Sequence, residues 1–240
     1  MTAPLLAGRT AIVTGASRGI GARIAEVLGS AGARVALVAR TRFALDEIAG
    51  RIGGGAIAID ADLSDEAGAS AAARQVREAF GGAPDIVVNN AGIFRVVALE
   101  AMAPAEFSTM IHTNLIGPFA VLREFLGDMR SRGSGHVVTV GSVADRAIYA
   151  GNGAYSATKF GMRAIHEVLR EETRGSGVRA TLISPAGVDT DIWDGIRFPG
   201  MSEPPDRSMM MTTDAVANAV FYALTQPSEV NIDELRLSRT

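Results

Sequence analysis

Apolar residues in this chain gather in short unbroken runs, and between the runs they recur every three or four positions. The runs fall at 10–14, 34–39, 56–60, 85–89, 135–140 and 178–183, with a last and partly alternating one at 230–237. An apolar run of that length, bounded by turn residues, is the pattern of a strand buried on both faces. The spaced pattern predicts helices from the glycine turn after Thr14 to Ala31, over 43–52, from Asp65 to Phe80, from Pro104 onward, over 155–173 and over 215–224. Strand and helix therefore alternate from end to end. The predicted fold is α/β: a parallel sheet with helices on both faces, in one domain covering 1–240.

Local chemistry sharpens the pattern. Gly53-Gly54-Gly55 stops the second helix, and Asp65 is placed to cap the third. Pro104 suits a first helical turn, whereas Pro118 falls well inside the same helix. An interior proline removes the hydrogen bond to the carbonyl four residues back, which leaves the Asn114 carbonyl in need of a water or a ligand. The stretch 191–211 follows neither period. Its apolar content, with Trp193, Phe198, Met201 and Met209-Met210-Met211, predicts a lid over a substrate site.

Composition acts mainly by exclusion. Apolar residues make up 48% and charged ones 20% of the chain, enough for a large core. A net charge of -3 gives no electrostatic reason to expect nucleic acid or an anionic membrane as partner. With no cysteine, disulfides, thiolate nucleophiles and sulfur-ligated zinc are excluded. His112, His136 and His166 are dispersed and predict surface or packing roles, with no metal. No run approaches the roughly 18 apolar residues of a membrane span, and the first residues lack the pattern of a signal peptide, so the expected location is cytoplasmic.

Between the first strand and helix lies Gly15-Ala16-Ser17-Arg18-Gly19-Ile20-Gly21. In that context glycines let the backbone approach a pyrophosphate, and the free N–H groups of the new helix attract its charge. A dinucleotide fold that uses NAD normally places a carboxylate at the end of the second strand, on the ribose 2′-hydroxyl. This chain has Ala39 and then Arg40 there. A carboxylate would repel a 2′-phosphate and a guanidinium binds one, so NADP(H) is expected over NAD(H), with Arg18 as a second cation. Asp62 and Leu63 follow the third strand at its carboxyl end, and strand ends of that kind line the ligand crevice.

Tyr155 and Lys159 are four residues apart, so a helix puts them on one face. An ammonium there favours the ionised phenol, which near its reference pKa of roughly 10 is a poor proton carrier at neutral pH. Ser142 offers a hydroxyl to hold a substrate oxygen from a second side.

Thr14-Gly-Ala-Ser-Arg-Gly-Ile-Gly21, Asn89-Asn-Ala-Gly92, Asn114, Ser142 and Tyr155-x-x-x-Lys159, in this order and spacing, resemble the short-chain dehydrogenase/reductase family over nearly the whole chain. The resemblance implies a Rossmann-like, doubly wound parallel sheet of about seven strands. It also implies hydride transfer between a nicotinamide and a carbonyl or secondary alcohol. By the same resemblance Tyr155 is the general acid in reduction and the base in oxidation, and Lys159 lowers its pKa and holds the nicotinamide ribose. Ser142 donates to the substrate oxygen, and the Asn114 main-chain carbonyl holds a water that links Lys159 to solvent. Gly15, Ser17, Arg18, Gly19, Ile20 and Gly21 take the cofactor's phosphates. Asp62 and Leu63 meet the adenine, the run from Asn89 through Ala91 to Gly92 the adenosine ribose side, and Val188 and Thr190 the carboxamide and phosphates. The family usually reads Pro-Gly-x-Val after the sixth strand; here Pro185-Ala186-Gly187-Val188 has its glycine one place late. Pairing of the long helices around Asn114 and Tyr155 into a homodimer or homotetramer is a further implication.

The expected activity is therefore NADP-dependent reduction of a small, largely apolar carbonyl, or oxidation of the alcohol. Ile93, Phe94, Ile148, Tyr149, Trp193 and the 191–211 stretch are the expected pocket wall. A 3-oxoacyl thioester reductase is the second reading, and a non-catalytic NADP(H)-binding sensor the third. The complete set of Ser142, Tyr155 and Lys159 speaks against a sensor.

Overall fold

Short β-rich runs alternating with helices have one economical arrangement, since a parallel connection must cross over the sheet and bury the helix on it. The computed structural model, which describes residues 4–198 and 204–240, has that arrangement. Its strands are β1 (Thr10–Thr14), β2 (Arg34–Ala39), β3 (Ile57–Asp60), β4 (Ile86–Asn89), β5 (Gly135–Val140), β6 (Val178–Pro185) and β7 (Glu234–Leu237). They form one seven-stranded sheet in the order β3-β2-β1-β4-β5-β6-β7. Every pairing is parallel. The sheet is doubly wound and Rossmann-like.

The helices are α1 (Gly19–Ser30), α2 (Arg42–Ile52), α3 (Glu66–Phe80), α4 (Pro104–Ile111), α5 (Gly117–Arg132), α6 (Gly153–Thr173) and α7 (Thr213–Leu224). Strand side chains alternate between two cores, as a period of two requires. Val13, Leu37, Val88, Val138 and Ile183 pack with α1, α2 and α7. Ile12, Val38, Val87, Val137 and Ala180 pack with α3, α5 and α6. Chain order reverses between β1 and β4, which opens a crevice at the carboxyl ends of the strands.

Three elements differ from the sequence expectation. The long helix from Pro104 is interrupted by a π-helical turn over His112–Ile116, with the Gly117 N–H donating to the His112 carbonyl five residues back. Pro118 has no N–H to continue the regular ladder, and a wider turn absorbs the gap. The last strand is shorter than expected, Glu234–Leu237. The Asn231 carboxamide takes the place of main chain, accepting from the Ala180 N–H at 3.0 Å and donating to the Ala180 carbonyl at 3.1 Å. The helix that carries Tyr155 starts at Gly153, two residues earlier than expected. Asp65, by contrast, caps α3 as expected, accepting from the Ala67 N–H at 3.3 Å.

His136 on β5 and His166 on α6 are fully buried packing residues. His136 Nε2 meets Thr181 Oγ1 at 2.8 Å and His166 Nδ1 meets Thr139 Oγ1 at 3.0 Å. Burial disfavours the imidazolium, with Arg179 adding to the effect at His136. The His136 pKa is pushed down to about 3 and that of His166 to about 4, from an ordinary 6.5. A depressed folded-state pKa gives stability that is complete above the unfolded value and is lost as pH falls toward the folded one. Urea midpoints should therefore fall between pH 6.5 and about 4, approaching roughly 1.4 kcal/mol per pH unit for each imidazole. His166→Gln should remove about half of that slope; an unchanged slope would contradict the assignment.

Candidate active site

The crevice between β1 and β4 widens into a cleft of about 810 Å³. The glycine turn forms one end of it. Gly15 and Gly19 adopt positive φ, 66° and 57°, which a side chain would strain. Gly21 is required for space, since a Cβ there would lie 2.3 Å from the Gly15 carbonyl oxygen and 2.5 Å from Asn90 Nδ2. No side chain caps α1, so its first N–H groups face the cleft without a protein side-chain partner. That is a cradle for an anion.

Asn90 does more here than its place in the sequence suggested. Its Nδ2 donates to the Thr14 carbonyl at 2.9 Å, and Thr14 Oγ1 accepts from the N–H groups of Asn90 and Ala91, each at 3.0 Å. This latch ties the glycine turn to the end of β4. Asn89, expected at the adenosine ribose, is instead buried beneath the cleft, and it is Asn90 that lines the wall with Ala91 and Gly92. Alternation along β4 decides this: Asn89 shares the inward face of Val87. Two adjacent asparagines give the sequence no signal by which to choose between them.

The electrostatics at the end of β2 follow from which arginines are neutralised. Arg42 is held by Asp46 at 2.9 Å and Asp60 at 3.5 Å. Arg40 and Arg18, both exposed at the cleft, make no ion pair among the described residues. Asp62 lies across from them. The Ser64 N–H at 2.9 Å and the Ser64 hydroxyl at 2.7 Å hold its carboxyl below the usual carboxylate range, with Arg40 adding to the effect.

At the other end of the cleft stand Ser142, Tyr155 and Lys159. Ser142 stands two residues past the end of β5, and its Oγ accepts from the Ala144 N–H at 3.1 Å. Lys159 is buried on α6, and its ammonium donates to the Val140 carbonyl at 3.2 Å. The same ammonium lies 5.6 Å from the centre of the Tyr155 ring. Asn114 sits just behind them in the π turn rather than on the cleft wall. Its Oδ1 accepts from the Ile93 N–H and its Nδ2 donates to the Ile93 carbonyl, both at 2.8 Å, and Nδ2 also reaches Thr158 Oγ1 at 3.3 Å. The carboxamide thus joins the turn after Gly92 to α6, while the proline at 118 leaves its main-chain carbonyl without the regular helical donor.

An aromatic wall faces this group. Phe94 meets Tyr155 edge-on at 4.7 Å and Trp193 at 5.2 Å, and Trp193 stands 6.4 Å from Phe198. Ile93 and Tyr149 complete the wall. Ile148 does not: it is 74% exposed and borders a shallow depression with Ser156 and Phe160 on the outer side of α6. Tyr149 borders both that depression and the cleft, whereas Ile148 borders the depression without lining the cleft. Val188 and Thr190 are in place beyond β6. The Trp193 Nε1–H donates to the Val188 carbonyl at 2.8 Å, and the Thr190 methyl approaches Gly19. The displaced glycine after Pro185 is tolerated, because the Ala186 N–H pairs with the Leu237 carbonyl at 2.9 Å. Of the expected lid, short 3₁₀ turns hold Asp191–Trp193 and Arg207–Met209, and Met201 lies outside the described residues.

A family model for short chain dehydrogenases matches residues 9–198. This chain belongs to the short chain dehydrogenase family. An uncharacterized oxidoreductase of Staphylococcus epidermidis is 35% identical over 229 residues, spanning 95% of this chain and 96% of that one. Among solved structures, a metagenomic short-chain oxidoreductase in complex with NADP is 34% identical, with a TM-score of 0.84 over 98% of this chain and all of that one (100%). An alcohol dehydrogenase from the archaeon Thermococcus sibiricus, complexed with 5-hydroxy-NADP, is 32% identical, with a TM-score of 0.84 over 95% of each chain. Among the described residues of this dehydrogenase no helix is long and apolar enough to cross a membrane. No three His, Cys, Asp or Glu side chains gather there as a metal would require.

Gly21→Ala tests the cradle. The added methyl cannot avoid the Gly15 carbonyl, so dinucleotide binding should be lost in a fluorescence titration and the melting temperature should fall by several degrees, on the order of 1–3 kcal/mol. Unchanged affinity would show that the turn does not hold the phosphates.

Proposed function

We infer that this enzyme reduces the carbonyl, or oxidises the secondary alcohol, of a small and mainly apolar substrate, with Tyr155 as proton carrier. The observation that carries the reading is the grouping of Ser142, Tyr155 and Lys159 in one cleft with an uncapped, glycine-lined helix start. The enzyme is an NADP-dependent oxidoreductase, and bound NADPH supplies the hydride that the carbonyl carbon receives. The N–H groups at the start of α1 suit the pyrophosphate, the unpaired Arg18 and Arg40 the 2′-phosphate, and Val188 and Thr190 the carboxamide.

The protein's own part is proton and charge handling. Because Ser142 Oγ already accepts from the Ala144 N–H, its hydroxyl hydrogen is left to donate to the substrate oxygen. Tyr155 gives its phenolic proton to that oxygen as negative charge develops there. The Lys159 ammonium, held beside the ring, stabilises the charge left on the phenol, as a preorganised cation in a dry site does. The Asn114 carbonyl, freed by Pro118, holds a water through which the proton is replaced. Phe94, Trp193 and Phe198 form an apolar cover over the reacting atoms, which supports a lid role for the segment after β6. Phe119 on α5 and Phe160 and Val168 on α6 remain exposed, an apolar face that supports pairing of two copies along these helices.

Tyr155→Phe should lower kcat by about a thousandfold or more while leaving NADPH affinity unchanged, in an assay of NADPH oxidation with a panel of ketones and acyl thioesters. Retained turnover would remove the mechanism. A parent enzyme silent on every carbonyl would favour the sensor reading instead. Arg40→Asp should weaken NADPH binding about ten- to a hundredfold and leave NADH binding nearly unchanged, measured by titration. Equal affinity of the parent for NADH and NADPH would sink the 2′-phosphate argument.

A further inference from the structure

Behind Ser142, away from the cleft, the short turn Val143–Asp145 carries a carboxylate with no solvent contact. Arg146 Nε donates to Asp145 Oδ1 at 2.7 Å, and the Ser184 hydroxyl donates to Oδ2 at 2.7 Å. Arg163, one turn beyond Lys159 on α6, lies 3.9 Å from Oδ1. Arg146 goes on to pair with Glu234 on β7 and approaches Ser184 Oγ at 3.4 Å. Gly141 leaves the space for this group, since a Cβ there would lie 3.2 Å from Asp145 Oδ2 and 3.3 Å from Ser184 Oγ. The carboxylate is therefore tied to β6, β7 and α6 at once.

Neither Asp145, Arg146, Arg163 nor Glu234 lines the cleft, so none of them reaches substrate or cofactor. Stability alone is a weak reason for such a cluster, because buried ion groups can often be replaced by apolar residues at no cost. Its contact with the reaction runs through Ser142. The Asp145 N–H donates to the Ser142 carbonyl at 2.9 Å, and the preceding residue of the same turn, Ala144, supplies the N–H that orients Ser142 Oγ. Wherever Asp145 is fixed, the direction of the Ser142 hydroxyl is fixed with it.

We propose that Glu234, acting through Arg146 and Asp145, is a positioning residue for Ser142 that sets its hydroxyl against the helix carrying Tyr155. This rests on the reading of Ser142 as donor to the substrate oxygen. The last strand thereby takes part in the catalytic geometry although Glu234 is 88 residues from Arg146 in the chain.

A double-mutant cycle tests it, with kcat, KM and NADPH affinity measured for the parent, Ser142→Ala, Glu234→Ala and the double variant on one ketone. Ser142→Ala should lower kcat about a hundredfold. Glu234→Ala should lower kcat about tenfold with NADPH affinity unchanged, and should have no further effect in the Ser142→Ala background. Glu234→Gln, which keeps length and loses charge, should fall between. An unchanged kcat in Glu234→Ala overturns the proposal, and so does an equal loss in both backgrounds, which is the mark of a merely structural role. A Ser142→Ala variant of full activity overturns the role of Ser142 itself, a separate failure visible in that variant alone. Should Glu234→Ala unfold, Glu234→Gln carries the same cycle with the same criteria.

Discussion

One buried cation, Lys159, ties the strand before Ser142 to the helix that carries Tyr155. Lys159 is only 7% exposed, makes no ion pair among the described residues and donates to the Val140 carbonyl at the end of β5. A desolvated ammonium is costly without compensation, and one carbonyl compensates it in part. The remainder of its field falls on the cleft that Tyr155 lines beside it. Because the donor is on α6 and the acceptor on β5, the same contact also fixes the helix against the strand that delivers Ser142.

The sheet order explains why that contact and the glycine turn serve one cleft. The reversal between β1 and β4 separates the loops that leave their strand ends and opens the crevice between them. Glycine is needed where main chain crowds main chain. At Gly21 the turn folds under its own carbonyl, and at Gly117 a Cβ would lie 2.1 Å from the Leu63 carbonyl oxygen, so α5 can sit directly against the end of β3. The Asn114 carboxamide and the Thr14–Asn90 latch then join these loops with side-chain hydrogen bonds where the strands themselves have ended.

Much of this was legible before any coordinates. The six apolar runs of the first two hundred residues became strands, because a five- or six-residue buried strand needs nothing more than an unbroken apolar pattern. The cap at Asp65 and the i, i+4 placement of Tyr155 and Lys159 are settled within a turn or two of helix. The interruption at Pro118 was legible too, though not its form, since a missing N–H can be absorbed by a kink or by a widened turn and packing chooses between them. The 191–211 stretch was recognisable as irregular, yet only the indole bond to Val188 and the edge-on contact with Phe94 show how Trp193 reaches the cleft.

What the chain's own pattern determined, then, was which segments are strands or helices and which glycine, hydroxyl and basic residues the strand ends bring to one cleft. Local periodicity and nearest-neighbour chemistry are enough for that. The tertiary structure alone decided that Asn90 rather than Asn89 reaches the cleft and that Ile148 turns outward. It alone decided that Asn231 stands in for a stretch of strand and that Asp145 is anchored to Glu234. Each of these depends on which groups meet across a crossover, and a hydrogen bond between residues 51 or 88 positions apart leaves no periodic trace in the sequence that makes it.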